Sequence, residues 1–364
     1  MSDIIVIGGG IAGVSAAAEC ARAGARVSVL ESEPQIGYHA TGRSAAIFIR
    51  NYGNATLRAL NAVAEPIFEQ PREISDKPIL SPRGELMVAS EEELPVLDAY
   101  LDGAVGVERL TGKEAAEIVP ILRPERIAGA LIERDARGID VDLLLQGYAR
   151  MLRGRGGQIV TGAQVQALRH EAGQWHVETA HGTFTAPTIV NAAGAWADEI
   201  AAMAGLPRFG LQPYRRSAAI IPAPEGQDTE HWPIFGSIAE TWYAKPEAGK
   251  LMVSPADEDP VDPHDAWPED MVLAEGLHRF EQAVTHEVTR LEHSWAGLRT
   301  FASDRTPVAG FDPRSTGFFW LAGQGGYGVQ TAPALSQFSA ALLTGGAPVL
   351  DAATRAALAP DRFC

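Results

Sequence analysis

Two cysteines in 364 residues, Cys20 and Cys364, are too few for a disulfide framework, an iron–sulfur cluster or a four-thiolate zinc site. Positive charge is also short: 30 Lys and Arg stand against 46 Asp and Glu, a formal net charge of -16. Such a surface repels phosphate backbones and anionic lipid, so neither nucleic acid nor a polybasic membrane attachment is expected. No apolar run approaches the roughly 18 to 20 residues of a transmembrane helix, and no basic segment precedes the first apolar stretch as it does in a signal peptide. The expectation is a cytoplasmic protein without integral membrane contact, acting on small molecules.

What is present is the composition of an ordinary globular enzyme, 46% hydrophobic and rich in turn formers with 37 Gly and 24 Pro. The length predicts two domains, because single cores rarely grow past about 250 to 300 residues. Residues 3–7 read as a short buried parallel strand, 11–23 as an Ala-rich helix ended by Gly24 with Cys20 packed at its middle, and 26–30 as a second strand, a βαβ unit. A mostly helical, charged region follows over 56–119, interrupted by a hairpin at 82–89 with Arg83-Gly84 in its turn. Residues 157–160, 175–179 and 183–187 read as an antiparallel layer. Residues 188–191 and 318–322 are further buried strands, each running into a glycine-bearing turn. Alternating β character over 215–222 and 241–254 completes the pattern. The expected division is a discontinuous cofactor domain over 1–50, 140–210 and 300–364, and a substrate domain over 51–139 and 211–299.

Gly8-Gly9-Gly10-Ile11-Ala12-Gly13 is a G-x-G-x-x-G placed directly after a strand and opening a helix. Gly8 permits the tight turn, Gly10 lets the backbone approach a pyrophosphate, and Gly13 lets helix and strand pack closely, with the N–H groups near Ile11 and Ala12 facing the anion. Glu31 ends the second strand about 20 residues on, where a carboxylate beside Ser32 accepts from ribose hydroxyls and disfavours a 2′-phosphate. A plain glycine turn would not need the strand, the helix and the acid together. Dinucleotide binding follows, but the unit alone does not choose between FAD and NAD.

Four further segments decide that choice: Thr41-Gly42-Arg43-Ser44-Ala45-Ala46, Asn191-Ala192-Ala193-Gly194-Ala195-Trp196, Trp295-Ala296-Gly297-Leu298-Arg299, and Gly323-Gln324-Gly325-Gly326-Tyr327-Gly328-Val329. In this order they resemble the FAD-dependent D-amino-acid oxidase and glycine oxidase superfamily over nearly the whole chain. Within it the likeness runs nearest to the bacterial D-arginine dehydrogenases, carried also by Tyr52-Gly53, Lys245-Pro246, Ser254-Pro255-Ala256, Asp259-Pro260-Val261 and Pro263-His264-Asp265. The resemblance implies an α/β fold, with a Rossmann-like FAD-binding domain of glutathione-reductase type and an α+β substrate domain built on a mixed or antiparallel sheet. It implies FAD held non-covalently, by the glycine motif, by Arg43 to Ala46, by Val165 at the adenine, by Ala193, Gly194 and Trp196, and by the last glycine loop through Gln330. That loop can aim backbone N–H groups at the flavin pyrimidine edge.

The implied chemistry is hydride transfer from a substrate Cα to the flavin, with the imino acid then hydrolysed to a keto acid and ammonia, and no metal. Arg299 is the first candidate for the bidentate clamp on the substrate carboxylate and Arg216 the second, although Arg216 beside Arg215 also reads as an exposed strand pair. Tyr52 and Tyr243 match pocket tyrosines or are interior aromatics, and Gln330 and Gly326 match the pocket floor. Ile47 and Phe48 stand where the D-arginine enzymes place a histidine, which makes that wall apolar and favours a hydrophobic or N-substituted amino acid. Glu85 is either the acid that meets a guanidinium or a solvent-facing residue. His286 and His293 read as the solvated face of a charged helix. His39 leaves a histidine tether open. The electron acceptor is a quinone, an artificial acceptor or oxygen, with dehydrogenase chemistry expected over oxidase. Two rivals remain: a flavin 2-hydroxy-acid dehydrogenase, which would need a general base, and a non-catalytic flavin-binding subunit.

Overall fold

The computed structural model describes residues 2–364; Met1, where the expected cofactor domain begins, lies outside the described residues. The strand Ile4–Ile7 is buried along its length, as is Val27–Leu30, because their apolar runs are covered on both faces of a parallel sheet. Between them the helix Ile11–Arg22 buries its alanines and Cys20, and ends before Gly24, whose φ of 95° turns the chain back. The sheet has six strands in the order Val308–Phe311, Phe318–Ala322, Thr188–Asn191, Ile4–Ile7, Val27–Leu30, Gln158–Val160. All neighbours are parallel except the first pair. The three strands that run into glycine turns are therefore adjacent and point the same way. Turns far apart in the chain meet along one edge, where such sheets hold their ligands.

Residues 157–160 were expected in an antiparallel layer, but Gln158–Val160 is instead the edge strand of this parallel sheet. The antiparallel layer consists of Ala167–Glu171, Gln174–Thr179 and Gly182–Ala186, and docks through Trp175 against Phe318.

The second layer is a mixed nine-stranded sheet whose longest pairing joins Gln212–Pro222 to His293–Phe301. The hairpin expected at 82–89 does not form. Leu80–Pro82 pairs with Arg137–Ile139 in a small separate sheet, while Glu85–Ala89 pairs with Gly129–Glu133 and Ile234–Ser237. Gly84, with φ 81°, passes the chain from one sheet to the other, so the turn signal was real and its partner strands were not local. The helix Ala55–Glu69, capped by Asn54 accepting from the Leu57 N–H at 3.1 Å, buries Leu57, Leu60, Ala64 and Phe68 in the same core as Ile11–Arg22. We propose that the division expected at residue 50 falls after this helix.

His286 and His293 are not on a helix. Asp270–Ala283 ends at the extended Val284, and the β-branched Val284, Thr285, Val288 and Thr289 keep the following chain out of helical geometry. His286 lies 3.1 Å from the Pro222 carbonyl, and His293 opens a strand and stacks on Trp295. No helix among the described residues is long and apolar enough to cross a membrane.

Candidate active site

A cavity of about 650 Å³ opens between the two layers, lined by the glycine motif, Glu31 and Val165 on one side and by Arg216, Tyr243, Trp295 and Arg299 on the other. At the sheet edge Gly8 has φ 113°, and a Cβ there would stand 2.3 Å from the Ala192 carbonyl oxygen; a Cβ on Gly13 would stand 2.0 Å from the Gly8 oxygen. Those two glycines bring strand, helix and the Ala192–Ala193 turn together, while Gly10, Ile11 and Ala12 face the cavity at the helix N-terminus. The N-cap of that helix, Gly10, has no side chain and its first turn no acid, which leaves the N–H groups beyond Ile11 and the positive helix end to an anion. Glu31 is placed by the Gly9 N–H at 2.6 Å, the Ser32 hydroxyl at 3.0 Å and the Glu33 N–H at 2.8 Å. A carboxylate has about four acceptor sites, so one remains for a ribose hydroxyl.

The loop after the second strand is anchored by Arg43. Its guanidinium donates to the Ala266 and Ala296 carbonyls at 3.1 and 3.0 Å and pairs with Asp265 at 2.5 Å, so one side chain fastens the first layer to the second. Arg43, Ser44 and Ala45 line the cavity, as do Ser32, Ala193, Gly194 and Trp196. His39 also lines it, with Nε2 2.9 Å from Glu33 Oε1 and the ring 4.7 Å from Trp196.

The strand Gln212–Pro222 alternates, and the alternation separates two consecutive arginines. Arg215 turns to the far face, where Asp259, Glu269 and Asp257 surround it at 2.9, 3.1 and 3.5 Å. Arg216 turns to the cavity, its Nε donating to the Asp257 carbonyl at 2.8 Å. The exposed-pair reading of these residues therefore does not hold. Register places Arg299 opposite Tyr214 and Gly297 opposite Arg216, so both guanidinium groups share one face of the sheet as diagonal neighbours. Gly326 explains how Arg299 fits, for a Cβ there would lie 3.0 Å from the guanidinium carbon.

Tyr52 and Tyr243 approach the Arg299 guanidinium. Burial opposes the Arg299 charge, but these phenols and the Glu240 carboxylate outweigh it and hold the pKa above the ordinary arginine value. Burial, reinforced by the Glu240 charge, pushes the Tyr52 phenol well above the usual tyrosine range, so its hydroxyl stays a hydrogen-bond donor. Its ring packs 4.8 Å from Tyr327.

Several expected residues stand behind the cavity wall. Gly13 packs helix to strand; Gly323, with φ 74°, turns the chain at the strand end; and Ala46, with φ 50°, turns it before Ile47. Tyr52 and Tyr327 pack against each other at a tilt of 59° just outside the lining, and Phe301 closes on Tyr327 at 6.1 Å. Gln330 is buried, accepts from the Ile49 N–H at 3.2 Å and does not line the cavity. Nor do Ile47 and Phe48 supply the expected apolar wall: Phe48 is buried against Phe68 and under Arg137. Glu85 is neither solvent-facing nor in the lining. It is buried, accepts from the Tyr100 hydroxyl at 3.2 Å and lies opposite Glu133 in the register.

Two contributors, Thr41 and Gln324, were read only as parts of longer segments, and a third, Met252, was not singled out in the sequence. Thr41 accepts from the Ile11 N–H at 3.0 Å and so fixes the start of the helix. Gln324 lines the cavity, and its buried Nε2 has no partner among the described residues. Met252 lines it from Lys250–Ser254, where only strand alternation could have pointed to it.

The glycine cradle, the helix end turned to the cavity, the placed acid and the unpartnered amide donor together fit an extended flavin dinucleotide. Similarity to known proteins agrees. The chain is 26% identical over 352 residues to a glycine oxidase of Geobacillus kaustophilus, covering 91% of this chain and 90% of that protein. It is 24% identical over 401 residues to FAD-dependent oxidoreductase domain-containing protein 1 of Bos taurus, covering 95% and 82%. The crystal structure of a glycine oxidase from Geobacillus kaustophilus superposes with a TM-score of 0.83 at 25% identity over 96% of both chains. Residues 3–342 match the model of the FAD dependent oxidoreductase family, DAO, and the chain is a member of that family, an FAD-dependent oxidoreductase.

Proposed function

We propose that the protein oxidises the Cα–N bond of a D-amino acid or a related small amine. The observation that carries this reading is the meeting of Arg299, Arg216 and Tyr243 beside the Gly325–Gly326 turn, in the cavity that also holds the dinucleotide motif, with Tyr52 set against Arg299 from behind the wall. Bound FAD supplies the acceptor for the two electrons and the hydrogen leaving Cα. Arg299 clamps the substrate carboxylate bidentately, and with it fixed the Cα–H direction is set within a narrow cone. The Tyr52 and Tyr243 hydroxyls donate to the same carboxylate. Leu298, Met252 and Trp295 line the cavity and suit a hydrophobic or N-substituted substrate better than a strongly polar one. The imino product hydrolyses to a keto acid and ammonia after release, and a quinone, an artificial acceptor or oxygen takes the electrons away. The flavin is held non-covalently, by the glycine cradle and the helix end that face the cavity.

A 2-hydroxy acid would need a base for its hydroxyl proton. The histidines of the lining, His39 and His264, each have one ring nitrogen held, by Glu33 at 2.9 Å and by the Asp262 carbonyl at 2.7 Å, which leaves the other nitrogen for that role. An amine that binds deprotonated needs no such base, so the two substrate classes part on that requirement. The test is anaerobic mixing of the purified holoenzyme with D-amino acids, N-methyl amino acids and 2-hydroxy acids while following the flavin band near ~450 nm. Bleaching by the amines supports the reading; bleaching by hydroxy acids alone overturns it.

A further inference from the structure

Glu240 occupies an unusual backbone position for a charged residue, with φ 52° in the left-handed region. The turn that imposes it is tied at several points. The Glu240 N–H donates to the Ser237 carbonyl at 2.9 Å, the Ser237 N–H to the Trp242 carbonyl at 3.0 Å, and the Ser237 hydroxyl to Glu93 at 2.6 Å. A strained residue held by its surroundings is a frequent mark of function. The effect here is to aim a half-exposed carboxylate back at the substrate end of the cavity, with Glu240 Oε2 4.0 Å from Arg216 Nη2.

Other charges around that end already have partners. Lys245, on the same sheet face, pairs with Glu247 at 2.7 Å; Arg305 pairs with Glu258; Asp257 takes the Ser217 N–H and hydroxyl and borders Arg215. Glu133, behind the wall, is engaged by the Arg50 N–H and the Asn51 amide. Two guanidinium groups line the cavity and one carboxylate stands beside them, 4.0 Å from Arg216, a balance of one positive charge. One substrate carboxylate neutralises it. A second carboxylate finds no cation and meets Glu240 instead.

We propose that Glu240 is a charge filter, a specificity-determining residue that keeps the two-arginine site selective for monocarboxylates over dicarboxylates. The inference rests on Arg299 and Arg216 forming the carboxylate site. It does not require that an amine be the group oxidised. Its physical basis is that a unit charge some 4–8 Å away, across a partly dehydrated cavity, changes an anion's binding by an order of magnitude.

The experiment uses the flavin spectrum of the holoenzyme as a binding signal, titrated with propionate and with malonate, neither of which can reduce it. Glu240→Gln should raise the malonate-to-propionate affinity ratio about tenfold over the unaltered protein, and Glu240→Lys should raise it further. A ratio that does not follow the series Glu, Gln, Lys overturns the filter. The two readings fail separately. If the ratio follows the series while no amino acid bleaches the flavin, the filter stands and the amine reading falls. If amino acids bleach it while the ratio stays flat, the filter falls and the amine reading stands. No spectral response to either acid in any of the three proteins overturns the carboxylate site and the filter with it.

Discussion

Arg299 is held in place on three sides, by the absent side chain of Gly326, by the phenols of Tyr52 and Tyr243, and by the strand register that sets it diagonal to Arg216. Its removal should leave the dinucleotide cradle intact and take away a bidentate, charge-assisted contact. Arg299→Ala should therefore bind FAD normally and lose about 4 kcal/mol of transition-state stabilisation, roughly a thousandfold in kcat/KM. Arg299→Lys should recover little, since an ammonium lacks the planar fork. Stopped-flow reduction of the flavin measures both, and unchanged turnover in the alanine variant would remove Arg299 from the site. The candidate itself was legible in the Trp-Ala-Gly-Leu-Arg run. Arg216 was legible only as one of two arginines, because adjacent residues of a strand face opposite sides and the sequence does not say which side is the cavity.

At the scale of elements, the pairing of Glu85–Ala89 with Gly129–Glu133 sets two acids side by side, Glu85 opposite Glu133, in the interior. Burial, with the Glu133 charge second, pushes the Glu85 carboxyl up from the ordinary carboxylate range to about 8. The folded state thus holds a proton that the unfolded chain has released, and stability falls as pH rises from the unfolded value toward the folded one. Glu85→Gln keeps an acceptor for Tyr100 and removes that loss. The variant should match the unaltered protein near pH 5 and exceed it by about 2 kcal/mol near pH 9. Thermal unfolding of both proteins across that range checks it; equal shifts at both ends would mean that Glu85 is ionised in the fold. Nothing local in the chain announced this pair. The glycine turn at Arg83-Gly84 was readable, but a hairpin was the nearest explanation, and long-range pairing of Glu85–Ala89 with Ile234–Ser237 prevailed because it buries Leu86 and Val88 in the second core.

At the scale of the molecule, the cavity exists only while the two layers stay apposed, and Arg43 is among the side chains that span them. Its guanidinium ends on two carbonyls and a carboxylate of the second layer while its backbone belongs to the first. Arg43→Ala should weaken FAD binding about 30-fold, from the loss of roughly 2 kcal/mol of charge-assisted bonds, and should expose the chain around Asp265 to proteolysis. Flavin release on dilution and limited digestion report the two effects. An unchanged flavin affinity would show that the layers are held by packing alone.

The local chain determined a good deal of this protein. The βαβ unit, its glycine motif and Glu31 depend on contacts within about thirty residues, where strand period, helix period and turn chemistry are all written in order. The family likeness supplied the order of the later loops. Tertiary structure alone decided the rest: that Thr188–Asn191 and Phe318–Ala322 lie beside Ile4–Ile7 so that three glycine turns share one edge, that Arg216 faces in and Arg215 out, that Gln330 and Phe48 are buried rather than lining the cavity, and that Glu240 looks back at the arginines. Each of these is a matter of which face or which distant strand, and a sequence specifies its faces only relative to a partner it has yet to meet.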